Sequence, residues 1–241
     1  MFVKSTNSTN TLLKELIAKG QEPAYIYAGY QTAGRGQTGN SWESEEGKNL
    51  LCSILLPPGR NLHFLNIAVS VAVNRTATAV LQRSGLTAKR SYSEALAIKW
   101  PNDIYWQDKK LAGILVENAI VGSEIKYSIA GIGLNVNQTK FVSDAPNPIS
   151  LKQIRGTDFA IDELMERLYD EVHKVLNEPE EAVWAYYKSH LYRREGFWPY
   201  EDKNGGFEAR IQDILPTGEI VLRDQQGQQR IYHFKQIRYV V

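Results

Sequence analysis

The sequence predicts an α+β protein, a mixed and mostly antiparallel sheet with helices, followed by a small β module. Three observations lead there. Short apolar runs follow one another through tight polar turns, which fits antiparallel pairing and not βαβ units. Segments with apolar residues at helical spacing lie before and after those runs. Beyond Glu195 the pattern changes to brief apolar stretches broken by Gly- and Pro-containing turns.

The elements follow in order. Leu12, Leu13, Leu16 and Ile17 recur at helical spacing, and Gly20 sits where that helix should stop. Ala24 to Gly29 reads as a strand. The polar segment QTAGRGQTGNSWESEEGK holds too many glycines and charges for a core element and reads as a functional loop. Leu50 to Leu56 is a buried strand ended by Pro57 and Pro58. Residues 62 to 83 predict the longest helix of the first half, closing at Gly85. Three strands are expected next, Ala95 to Trp100, Lys110 to Asn118 and Ile125 to Val136. Gln107-Asp108-Lys109 and Val121-Gly122-Ser123 serve as tight turns. A loop over Asp144 to Pro148 leads to two amphipathic helices, Ile161 to Leu176 and Pro179 to Tyr192. Residues 206 to 241 give about four short strands in a barrel-like module, with turns at Pro216-Thr217-Gly218 and Gln226-Gly227. The expected domains are 1–194 and 195–241.

Composition narrows the function. With 43% hydrophobic and 23% charged residues the chain is ordinary globular material and not disordered. A net charge of +1 supplies no whole-molecule field for nucleic acid or membranes, so no DNA and no membrane partner is expected and anion binding must be local. Cys52 is the sole cysteine, which excludes an internal disulfide and fits a reducing compartment. His63, His173, His190 and His233 are too scattered for a zinc site, so no metal centre is expected. The polar start MFVKSTNSTN is no signal peptide, and no apolar run approaches the roughly 20 residues of a membrane span. A soluble, cytoplasmic protein is the expectation. Between Glu46 and Glu94 there is no acidic residue, while Lys48, Arg60, Arg75, Arg83, Lys89 and Arg90 fall there. That excess is either a solvated face or the border of a polyanion site.

Three motifs can carry chemistry. Gly34-Arg35-Gly36-Gln37-Thr38-Gly39 matches GxGxxG literally, but neither a helix nor a suitably spaced acidic residue follows, and no Gly-Lys-Ser/Thr makes it a P-loop. It is left as a glycine-rich loop whose arginine can meet phosphate or carboxylate, or as a flexible turn. Lys99-Trp100-Pro101-Asn102-Asp103 is followed seven residues on by Lys110, which a turn would return to Asp103. That pair either faces a cleft or is a surface ion pair of little worth. Gly131-Ile132-Gly133-Leu134-Asn135 places glycines in an apolar strand, a sign of a bulge, of close approach by a ligand, or of a tight neighbour.

Taken together, Ser8-Thr9-Asn10, Gln31 with GRGQTG and Trp42, KWPND, KLAGILVE (Lys110 to Glu117) and GIGLN resemble the biotin protein ligases. The resemblance runs from about residue 5 to residue 137, with a weaker match to the C-terminal module and Arg238. It implies a sheet related to class II aminoacyl-tRNA synthetases and a C-terminal SH3-like β-barrel. It also implies an enzyme that joins biotin and ATP into biotinyl-5′-AMP, then passes biotin to a lysine of a biotin carboxyl carrier protein domain.

The resemblance further implies roles. Ser8, Thr9, Asn10 and Gln31 belong to the biotin site, hydroxyls and amides supplying the donors and acceptors a ureido ring needs. Gly34, Gly113 and Leu115 line the same slot. Arg35 and Lys110 flank the biotin carboxylate and the α-phosphate, whose mutual repulsion is about 4 kcal/mol at 4 Å and an effective dielectric of 20. Gly36, Gln37, Trp42, Lys99, Asn102, Asn135 and Arg238 join Arg35 on the ATP side, with Mg²⁺ expected on the phosphates. Asp103 is the group to orient or accept the proton of the attacking lysine. Gln37 stands where the best-known members carry an arginine that helps retain the adenylate. The STN motif begins within ten residues of Met1, so the resemblance implies a monofunctional enzyme without an N-terminal DNA-binding domain. Monomer and homodimer both occur among such enzymes. A lipoate–protein ligase and a catalytically dead binding module are the competing readings.

Overall fold

A computed structural model of the chain describes residues 1–37, 40–82, 95–121, 124–142 and 147–240. Seven strands form the main sheet: β1 (Phe2–Thr6), β2 (Tyr25–Gln31), β3 (Leu50–Leu56), β4 (Leu96–Lys99), β5 (Asp103–Trp106), β6 (Lys109–Val121) and β7 (Glu124–Leu134). Their spatial order is β1-β2-β3-β7-β6-β5-β4. Among the described residues the β1–β2 strand pair is parallel and the other pairs of this sheet are antiparallel. The helices are α1 (Thr9–Ala18), α2 (Leu62–Gln82), α3 (Leu151–Arg155), α4 (Ile161–Leu176) and α5 (Glu180–Ser189). A second sheet holds β8 (Trp198–Asp202), β9 (Gly205–Ile214), β10 (Ile220–Asp224), β11 (Gln229–Tyr232) and β12 (Arg238–Tyr239), in the order β11-β10-β9-β8-β12. The class is α+β with a small C-terminal β module, as expected.

Alternation along the strands divides the main sheet into two faces. Leu50, Cys52 and Ile54 of β3 and Ala130, Ile132 and Leu134 of β7 belong to the large core under α2, α4 and α5. Leu55 and Ile129 point the other way and pack with Leu13 and Ile26 beneath α1. Beside α1 that second face is open, and the candidate site lies there.

Helix α2 corrects one expectation. It is long and apolar enough to cross a membrane by length and composition, yet 72% of that stretch is buried inside the fold. Arg75 pairs with Glu178 at 2.6 Å and Glu171 at 3.6 Å and lies over the Tyr186 ring, and Tyr186 donates to Asn74 Oδ1. Asn74 Nδ2 and Thr76 Oγ1 are buried without a hydrogen-bond partner among the described residues. Arg60 donates to the Leu176 carbonyl and covers Phe64. Arg60 and Arg75 of the basic stretch therefore fasten helices. Arg83, Lys89, Arg90 and Gly85 lie outside the described residues, as do Gly122-Ser123 and Asp144 to Pro146.

Other boundaries moved for physical reasons. The polar N-terminus forms β1, an exposed edge strand that needs no apolar alternation because neither face is fully covered. Residues 103–106 form β5, so Lys110 opens a strand pairing with β5 and not with β4. The turn at Gln107-Asp108 is as predicted, with Gln107 at φ 51°. Strand β7 stops at Leu134 and α5 at Ser189. The short α3 was not foreseen; Ser150 and Gln153 close a capping box on it and Gly156 ends it left-handed, at φ 78°. The C-terminal module has five strands, not four, because Trp198–Asp202 also pairs. Its β9–β10 turn docks against the main sheet: the Trp100 indole donates to the Gly218 carbonyl at 3.0 Å and meets Phe234 edge-on.

Candidate active site

A cleft of about 580 Å³ opens on the second face of the sheet, beside α1. Its floor is where bulk is missing. Gly133 lies opposite Gly113, and Gly131 opposite Leu115, in the β6–β7 ladder. A Cβ on Gly131 would fall 2.5 Å from Asn10 Oδ1, and one on Gly133 would collide with the Trp42 indole. The glycines of GIGLN thus answer two tight neighbours, one on α1 and one on the glycine-rich loop.

Lys110 reaches this face through an irregularity. Strand alternation alone would put residues 110 and 113 on opposite faces. Between the pairs Ile104↔Ala112 and Tyr105↔Lys110 the register shifts, leaving Leu111 as an extra residue on β6. The bulge turns Lys110 onto the cleft face with Gly113, Leu115 and Glu117. Its ammonium lies 2.7 Å from Asp103 Oδ2 and 5.7 Å from the Trp42 ring centre. Side-chain exposure of 29% and 28% leaves that pair reachable from solvent. The hairpin reading of KWPND and Lys110 holds, with its ion pair facing a cleft.

One wall is a hydrogen-bonded chain starting on α1. The Thr9 amide and hydroxyl both donate to Gln31 Oε1, at 2.8 and 3.1 Å, which leaves the Gln31 amide nitrogen for the cleft. Ser53 on β3 is fully buried, its hydroxyl 2.8 Å from Thr9 Oγ1 and 2.5 Å from Asn10 Oδ1. Asn10 in turn donates to Glu117 at 2.6 Å. Ser8 caps α1 by position, without a side-chain bond to the helix.

The glycine-rich segment folds back on itself: Arg35 bridges to Ser41, Gly36 N–H donates to Asn40, and Trp42 N–H donates to Gly34. Thr38 and Gly39 lie outside the described residues. Arg35 Nη2 donates to Thr11 Oγ1 at 3.1 Å and lies 3.6 Å from Glu117 Oε2. The Trp42 indole nitrogen is buried and has no hydrogen-bond partner among the described residues.

The far end is aromatic and basic. The Lys99 ammonium is 3.0 Å from the Tyr105 hydroxyl and lies over the rings of Tyr105 and Tyr239. Burial lowers its pKa; the Asp103 charge opposes this, and Lys110 and Arg193 reinforce it.

The structure brings most of the sequence-derived candidates to this one cleft. Ser8, Thr9, Asn10, Gln31, Arg35 and Gly36 line it, as do Gln37, Trp42, Lys99, Asn102, Asp103 and Lys110, with Gly113, Leu115 and Arg238. Two lie off it. Gly34 sits behind the loop, and Asn135 is buried with its amide on the Ile149 carbonyl at 3.1 Å. Asn102 lines the cleft but donates its amide to the Ile114 carbonyl at 2.7 Å, and Arg238 is paired with Glu201. Tyr105 also lines the cleft, as do Phe234, Lys235 and Tyr239 of the C-terminal module, while Ser53 and Glu117 bond to its α1 wall without lining it; none of these was a sequence-derived candidate. Ser53 has no signal of its own in a run of apolar residues. Glu117 ends the quoted KLAGILVE and was the visible one. Among the described residues no group of three His, Cys, Asp or Glu is placed to hold a metal ion.

Comparison with known proteins places the cleft in context. The model of the biotin/lipoate A/B protein ligase family matches residues 2–135. The bifunctional ligase/repressor BirA of Bacillus spizizenii is 29% identical over 228 residues, covering 88% of this chain and 65% of that protein. BirA of Escherichia coli is 34% identical over 132 residues, covering 54% of this chain and 38% of that protein. The chain thus spans less than two thirds of either relative. A biotin protein ligase from Aquifex aeolicus, solved with biotin and ATP, shares the fold with a TM-score of 0.77 at 22% identity, over 100% of this chain and 98% of that one. The matched segment begins in β1, ends just past β7 and contains the whole glycine floor, and on that match the chain belongs to the biotin/lipoate A/B protein ligase family.

Proposed function

We propose that this chain is a biotin–protein ligase, joining biotin and ATP into biotinyl-5′-AMP and transferring biotin to a lysine of a biotin carboxyl carrier protein domain. The observation that carries the reading is the Lys110–Asp103 pair, 2.7 Å apart beside a glycine-floored slot walled by Thr9 and Gln31. In the first reaction a carboxylate oxygen of biotin attacks the α-phosphorus and pyrophosphate leaves. Lys110 would leave Asp103 to hold the incoming carboxylate beside the phosphate, offsetting their repulsion where charge accumulates. Gln31 and the Thr9 hydroxyl would meet the ureido group, and Lys99 would face the phosphates from its aromatic sleeve. In the second reaction the acceptor amine attacks the acyl carbon, AMP leaves, and Asp103 takes up or orients the amine proton.

The relatives named as biotin ligases and the Aquifex complex with biotin and ATP support the choice of substrates. Mg²⁺ is expected with the triphosphate. The cleft does not supply a cage for it: Asp103 is the one carboxylate among its described lining residues and is engaged by Lys110. We place the division between the catalytic part and the SH3-like part near residue 195. A lone, fully buried Cys52, whose thiol burial pushes its pKa up, supports a reducing, cytoplasmic setting.

The test is transfer of labelled biotin, with ATP and Mg²⁺, to a purified carrier domain. Wild type should label it, and Lys110→Ala should lose at least about 10²-fold in rate, the order seen on removing a preorganised charge-stabilising donor. No labelling by wild type, with lipoate-dependent ATP–pyrophosphate exchange, would replace biotin by lipoate in this proposal. No exchange with either acid would make the chain a binding module.

A further inference from the structure

Glu117, on the cleft face of β6 beyond the lining residues, holds three partners, and they are not held equally. Asn10 donates to it at 2.6 Å and the Lys14 ammonium is 3.0 Å away, both from α1. Asn10 is itself fixed by Ser53 and by the bare Cα of Gly131. The carboxylate is therefore rigid. Arg35 is the outermost partner at 3.6 Å, with its side chain 48% exposed. Both of its contacts here, to Glu117 and to Thr11, use the single nitrogen Nη2, so the two-pronged face of the guanidinium is not engaged by either.

Position along β6 gives this pairing a meaning. Lys110 Nζ lies over Gly113, 3.4 Å from where its Cβ would be. Glu117 is four residues further along the same face, about 13 Å at the rise of a strand. The two cations that the proposed chemistry needs side by side are thus stationed toward opposite ends of the slot, each against a carboxylate of the protein. We propose that Glu117 is a positioning residue that parks Arg35 away from the reacting centre, and that a substrate anion must draw Arg35 off Glu117 to engage it. This rests on the reading of the cleft as an acyl-adenylate site. Arg35 then changes partners from a fixed carboxylate to the ligand's phosphate or carboxylate. The parked pair is a restraint on binding, so removing it should tighten binding.

The test is calorimetric titration of the full chain with ATP and, separately, with biotin. Glu117→Gln keeps the shape and the bond from Asn10 while removing the negative charge that faces Arg35. Its dissociation constant for ATP should fall about two- to fivefold, the range of a partly exposed ion pair. The ratio of wild type to variant should shrink toward one as salt is raised, since a restraint between exposed charges is screened. Thr11→Val, which removes the other contact, should tighten binding in the same direction by less. In an Arg35→Ala background Glu117→Gln should have no effect. Binding that is unchanged or weaker in Glu117→Gln overturns the proposal, as does tightening that persists without Arg35 or ignores salt. Wild type that binds neither ATP nor biotin overturns the adenylate reading itself, a result distinct from all of these.

Discussion

Trp42 shows what single residues contribute to this cleft. Its ring covers Gly133, yet its N–H is buried without a partner among the described residues, a state that costs about 1–3 kcal/mol. A residue can keep such a donor where another conformation or a ligand satisfies it. Trp42→Phe should therefore leave the melting temperature of the free protein unchanged or slightly higher while weakening biotin or ATP binding; a lowered melting temperature would show that the indole N–H is satisfied in the free state. Gly131 carries the complementary constraint. Gly131→Ala forces Asn10 to move from a buried, bonded position, and overpacking of this kind costs about 1–3 kcal/mol. Urea denaturation should show that loss, and ligand affinity should fall with it because Asn10 carries the wall.

At the scale of elements, legibility follows how much of each element's stability is local. Helix α4, with its apolar stripe and acidic first turn, was bounded correctly because propensity, periodicity and charge agree. Strand β3 was legible because burial on both faces leaves an unbroken apolar run. Strand β1 was not, since an edge strand takes its order from β2 and not from its own composition. Strand β5 is four residues long and hides inside what reads as a connection. The site divides in the same way. Lys110 and Asp103 could be paired from a turn and a count of residues. The use of the Asn135 amide on a backbone carbonyl depends on the course of 147–149, which no local pattern encodes. Helix α3 offers a check on local encoding: Ser150→Ala removes the cap from the Gln153 amide and should cost about 1 kcal/mol by urea denaturation.

Over the whole molecule, the two sheets share one core and one aromatic seam. Tyr105, Tyr192, Tyr200 and Tyr239 stack from the cleft into the C-terminal module. Burial pushes their hydroxyls up, and Tyr192, with an added bond to Asp108, reaches about 12. A folded pKa above the unfolded value of about 10 means that the unfolded chain releases these protons first. Stability is thus fully present below pH 10 and is lost as pH climbs from 10 through 12. Tyrosinate absorbance should rise together with loss of near-UV circular dichroism, and Tyr192→Phe should move that transition to higher pH. Early, non-cooperative ionisation of most tyrosines would contradict a buried seam. Trp100→Phe removes the bond to Gly218 at the same junction and should loosen the module, lowering ligand affinity together with stability.

The extra residue at Leu111 makes β6 intolerant in an unusual direction. One residue added to β5 opposite Leu111 would give β5 and β6 an uninterrupted ladder, a gain by the ordinary rules of sheets. It would also rotate Lys110 to the far side, under α2, and leave Asp103 facing an empty slot. A hairpin lengthened in this way would thus fold with a more regular sheet and lack the ammonium that faces Asp103 across the slot.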